Sequence, residues 1–128
     1  MDKKELREDA KTYFVPIILG SNRQSHALSS KIFRKYKIRA VISDTRKSLW
    51  HLFDPFSTFL PLASSNSMLC LEQLTSFALS EDYTLPILIP CSDEFNMFAE
   101  KLKGELEKVF VICSSKDVLS SSPMSVMD

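Results

Sequence analysis

Several common sources of function are missing from this sequence. Neither G-x-G-x-x-G nor G-x-x-x-x-G-K-[ST] occurs, so dinucleotide-binding and P-loop readings have no support. Cysteine is scarce: Cys70, Cys91 and Cys113 stand about 20 residues apart, with no C-x-x-C pair and two histidines in the whole chain. That excludes a disulfide framework and a zinc site, and leaves each cysteine as a free thiol in an apolar run. Charge of one sign is lacking too. Sixteen basic and sixteen acidic side chains cancel, so no nucleic-acid partner is expected. The most basic stretch, KIFRKYK from Lys31 to Lys37, reads as the solvated face of a helix. No apolar run approaches the roughly 20 residues of a membrane span, and MDKKELREDAKT has no apolar centre. A cytoplasmic chain with no membrane partner is the expectation.

What is present is alternation. The 128 residues are 45% hydrophobic and 25% charged, which suits one soluble domain. Tyr13–Leu19 (YFVPIIL) is a continuous apolar run stopped by Gly20, the pattern of a strand covered on both faces. Pro16 inside it removes one ladder donor and calls for an edge position or a bulge. Ser21 and Asn22 are good helix caps, and Leu28, Ile32 and Tyr36 repeat at helical spacing. Ile38–Ile42 (IRAVI) supplies a second strand, which completes a βαβ unit.

Lys47–Phe59 is too apolar for a free loop, and Pro55 interrupts any long helix. It is predicted to be irregular or one-turn helical packing over the sheet edge. Phe59–Leu62 is predicted as a short strand. A helix capped by Asn66 or Ser67 then buries Leu71, Leu74 and Ala78. Pro86–Pro90 (PILIP) reads as another buried strand. Ser92 caps the next helix, whose face is drawn by Phe95, Phe98, Leu102, Leu106 and Val109. Phe110–Cys113 (FVIC) closes the series, and six serines among the last fifteen residues predict a disordered tail.

The predicted class is therefore α/β: three layers, with an open, mostly parallel sheet of four or five strands and helices on both faces. The domain spans 13–114, between a charged segment 1–12 and a serine-rich segment 115–128. Such sheets bind ligands beyond the carboxyl ends of their strands, where the strand order reverses. Two turns occupy such positions. One is Gly20, Ser21, Asn22 and Arg23. The other follows Cys91 with Ser92, Asp93 and Glu94. The first turn either offers backbone N–H groups to an anion or simply permits a tight turn with a helix cap. The acids of the second either accept hydrogen bonds from a substrate amine or complement the helix dipole. His26 and His51 stand isolated in the sequence, and no Ser/His/Asp set can be assembled from it. No catalytic residue and no metal ligand is assigned.

Two segments together carry a resemblance. FVPIILGSNRQSHALSSKIFRKYKIRAVISD looks like the opening strand, glycine loop, helix and strand of ATP-grasp carboxylate–amine ligases. PILIPCSDEFNMFAEKLKGELEKVFVICS is similar to their later strand, Ser/Thr-Asp-Glu, helix and strand. DPFSTFLPLAS fits the connection between them. The likeness runs from about Phe14 to Ser114, and is to the N-terminal, pre-ATP-grasp domain, as in D-aspartate ligase-like and carbamoyl-phosphate synthase-like proteins. It implies a Rossmann-like domain facing the acceptor side of an active site, with Gly20, Ser21, Asp93 and Glu94 towards substrate. It implies ATP and magnesium only together with separate ATP-binding lobes or a partner subunit, and no catalysis by this domain alone. The alternative is a stand-alone module that binds a small carboxylate or nucleotide, or one that docks another protein through an exposed apolar segment, Trp50 to Phe59.

Overall fold

The computed structural model describes residues 14–63, 66–80 and 85–114. The expectations for segments 1–12 and 115–128 lie outside the described residues. Five strands form one parallel sheet in the order β3-β2-β1-β4-β5: β1 Phe14–Leu19, β2 Ala40–Asp44, β3 Ser57–Pro61, β4 Leu85–Pro90 and β5 Val111–Ile112. The helices are α1 Arg23–Tyr36, α2 Ser67–Ser80, α3 Asp93–Lys101 and the single turn α4 Lys103–Leu106. A 3-10 turn covers Leu49–Phe53. The chain is an α/β protein with a Rossmann-like open sheet.

Alternation along β1 divides the core. Phe14 and Ile18 join Leu28 and Ile32 of α1, Ile42 of β2, and Ile87 and Ile89 of β4 on one face. Ile17 and Leu19 join Cys70 and Leu74 of α2, Phe95 and Phe98 of α3, and Leu106 on the other. Each fully buried aliphatic side chain contributes about 1.5–3 kcal/mol. From β1 the chain moves one way along the sheet to β2, and from β4 it moves the opposite way to β5. Right-handed crossovers then require α1 and α3 on opposite faces.

Four details differ from the sequence reading. Pro16 is buried in the central strand rather than at an edge or bulge. The register pairs β1 with β2 only from Ile17 onward, so at Pro16 the central strand is locally unpaired on that side. The face from Phe95 to Val109 is not one helix. It breaks at Leu102 (φ −110°, ψ 23°), two residues before Gly104, a poor helix former. On α2 it is Cys70 that is fully buried with Leu74 and Ala78, while Leu71 is half-buried; Asn66 is the cap, accepting from the N–H groups of Met68 and Leu69. The one-turn helix within Lys47–Phe59 forms, but Leu49, Leu52 and Phe53 do not pack on the sheet: they are 79%, 77% and 77% exposed.

Candidate functional site

β1 and β4 are adjacent, and their carboxyl ends are where the strand order reverses. The two turns meet there. Gly20 is buried at φ 110°, a conformation that favours glycine, and a Cβ on it would lie 3.5 Å from Ser92 Cβ and Oγ. Asn22 ties the turns together, because its Nδ2 donates to the Cys91 carbonyl at 2.9 Å. Its Oδ1 accepts from Ser25 N–H at 2.9 Å while Ser25 Oγ accepts from Asn22 N–H at 2.8 Å, a reciprocal cap that starts α1. Ser92 starts α3, with its Oγ accepting from Phe95 N–H at 3.1 Å.

The N–H groups of the glycine turn are taken up internally. Gly20 N–H donates to the Ser43 carbonyl at 2.8 Å and Ser21 N–H to Asp44 Oδ2 at 2.8 Å. The Asp44 carboxylate thus stands where an external anion would be cradled. A groove of about 430 Å³ opens beside the junction instead, between α1 and the start of α3, walled by Gln24, Lys31, Ser92, Asp93 and Asn96 with Cys91 at its floor end. Lys31 and Asp93 give it one charge of each sign. Burial pushes the Cys91 thiol up to about 11, so it is no nucleophile at neutral pH.

The other predicted residues separate. Glu94 leaves Asp93 and lines a second groove of about 340 Å³ on the opposite face, with Asp44, Phe95 and Lys101. Arg23 is exposed, with its guanidinium carbon 5.6 Å from the centroid of the Trp50 ring. The glycine turn itself holds no free cradle for a phosphate. The turn amides are occupied, and among the described residues no group of three or more His, Cys, Asp or Glu is placed to hold a metal ion.

The structure also assembles a set the sequence did not show. Ser21 Oγ lies 3.1 Å from His26 Nε2, and His26 Nδ1 lies 2.8 Å from Asp54 Oδ2. With Nδ1–H donated to Asp54, Nε2 accepts the Ser21 proton, the order of groups in a serine hydrolase. Ser21 Oγ also accepts from Ser48 N–H at 3.0 Å and lies 3.2 Å from Ser48 Oγ. Its hydrogen-bonding capacity is full, and neither groove at this rim is lined by Ser21 or His26. The set is therefore a clasp rather than a nucleophile. Burial pushes the Asp54 carboxyl up, but hydrogen bonds from His26, Phe56 N–H and Ser29 outweigh it and hold the group below its ordinary value. One signal in the sequence pointed here. Ser25, His26 and Ser29 accompany the apolar stripe of α1 into the interior, and buried polar groups require partners.

No protein-family model, curated protein or solved structure matches the chain.

Proposed function

We propose that the chain is the N-terminal, substrate-side domain of an ATP-grasp carboxylate–amine ligase, acting by the acyl-phosphate route and silent without ATP-binding lobes. The observation that carries this reading is the meeting of the Gly20 and Ser92 turns at the strand-order reversal, bridged by Asn22 and Cys91. These are the two segments on which the resemblance rests. The adjoining groove supports a small zwitterionic carboxylate as ligand: Lys31 offers a cation to a carboxylate and Asp93 an acceptor to an amine. Nucleotide and magnesium would be held by the other lobes.

The test is reconstitution. The full chain is combined with ATP-grasp lobes encoded by the codons that follow it or by a neighbouring gene, and ADP release is followed with amino acids or dipeptides. ADP release that requires both components and a carboxylate supports the proposal. Its absence, or the lack of any such lobes nearby, removes it.

A second reading, a stand-alone binding module, is favoured by the groove itself. Calorimetric titration of the chain alone with amino acids, dipeptides and ATP should then give heat at millimolar ligand or tighter. Silence across that range counts against this reading.

A further inference from the structure

The 3-10 turn Leu49–Phe53 inverts the usual arrangement of a protein surface. Among the described residues nine large hydrophobic side chains are exposed, and four of them, Leu49, Trp50, Leu52 and Phe53, fall in this five-residue turn. Beneath it the buried groups are polar: His26 and Asp54 are 5% and 6% exposed. The polar groups grip both ends of the turn. Ser48, just before it, donates its N–H to Ser21 Oγ, and Asp54, just after it, holds His26 Nδ1. The apolar side chains are thus presented on a braced projection, and little conformational freedom remains to be lost when they are covered. Contiguous exposed apolar groups of this kind mark a docking surface.

Charge says what docks. The zero net charge hides a segregation along the chain. Residues 21–62 contain eight Lys and Arg against two Asp, an excess of six positive charges, so the remainder of the chain carries six negative. Both aspartates are engaged internally, Asp44 by the N–H groups of Ser21 and Thr45, and Asp54 by His26. The bases beside the turn are exposed: Arg46 and Lys47 lead into it, Arg23 lies over Trp50, Lys37 lies over Phe33, and Arg39 donates to the Pro55 carbonyl at 3.0 Å. α1 lies beside the turn, with the Phe33 and Phe56 rings stacked at 4.6 Å and the His26 and His51 rings 5.8 Å apart.

We propose that this face docks on an anionic lipid surface, with Leu49, Trp50, Leu52 and Phe53 entering the headgroup layer and the surrounding bases pairing with lipid headgroups. Aliphatic and aromatic groups rimmed by Lys and Arg suit an interface that is apolar below and negative above. A second copy of the chain fits less well, since a symmetric contact sets the same positive face against itself. Nucleic acid also fits less well, because Leu49 and Leu52 have no ring on which a base can stack. The contact is peripheral; no described helix is long and apolar enough to cross a membrane. It stands apart from the ligase reading.

Trp50 is the only tryptophan in the chain, so it reports on its own environment. The full chain is mixed with phosphatidylcholine vesicles and with vesicles holding about one-third phosphatidylglycerol, and flotation and Trp50 emission are measured. The expected result is flotation with the anionic vesicles alone, a shift of emission to shorter wavelength, and release by salt. The pair Leu52→Ser and Phe53→Ser should reduce binding by about tenfold or more while the thermal melt stays unchanged. Arg46→Glu with Lys47→Glu should reduce it comparably with the apolar groups intact. No flotation with anionic vesicles overturns the proposal, as does equal binding by the Leu52/Phe53 variant. Concentration-dependent dimerisation that shifts Trp50 emission without lipid, or oligonucleotide binding in place of vesicle binding, also overturns it.

Discussion

The rim of the sheet holds two regions built from similar residue types with opposite results. At the junction of β1 and β4, Gly20, Asn22 and Ser92 close a tight seam and leave a groove with polar walls beside it. At the 3-10 turn, Ser21, His26, Ser48 and Asp54 form a buried polar clasp and push apolar side chains outward. Hydroxyls and amides are placed at both, but one uses them to join two strands and the other to raise a projection. The difference lies in what the polar groups anchor, not in which groups they are.

The sharpest way to break this comparison is to remove the clasp. Asp54→Ala leaves His26 buried without its carboxylate and deprives Phe56 N–H of an acceptor. It should lower stability by about 3 kcal/mol, read by urea denaturation. An unchanged midpoint would mean that the clasp contributes no rigidity to the turn. Gly20→Ala tests the other region. A Cβ finds ordinary contact at 3.5 Å, so the cost is that of φ 110° alone, about 1–3 kcal/mol in the same assay. Asn22→Ala removes both the α1 cap and the bridge to Cys91, and should cost about 1–2 kcal/mol.

Acid should separate the regions as well. The Asp54 carboxyl is held low in the folded state, so its contribution is complete above the unfolded carboxyl value and is lost as pH falls through the folded one. His51 is lowered by burial and by the nearby Lys47 and His26. The folded chain therefore resists protonation of His51, and stability declines as pH drops below about 6.5. Urea midpoints measured from pH 8 to pH 3 should show both declines, with the lower one absent in Asp54→Ala. The smallest effect belongs to the projection's surface. Leu52→Ser and Phe53→Ser should change the midpoint by less than about 0.5 kcal/mol, because exposed side chains lose almost no contacts.

Much of the frame was legible because apolar runs and glycine or serine stops mark parallel strands and the helices between them. β1, β4, α1, α2 and the first part of α3 lie close to where the apolar periodicity put them, and the two turns share one rim. What escaped depended on contacts distant in sequence. Asp54 is 28 residues from His26; the stripe of α1 carries His26 inward, but nothing local to either segment names its partner. The aromatic turn belongs to a run whose hydrophobicity alone fits either packing over the sheet edge or an exposed docking patch, and contacts decide between them. A net charge of zero conceals a positive segment, 21–62, within a negative remainder.

The register of β1 has a consequence for assembly. Six of its residues align with β4, beginning with Phe14 opposite Leu85, whereas three align with β2. The central strand thus finds most of its ladder in a segment roughly seventy positions later, and contacts so distant are slow to close. During synthesis the β2–β3 hairpin-free pair and α1 can gather early, but β1 stays half-laddered until β4 has emerged. Any chain cut before Leu85 should remain prone to association through that open side.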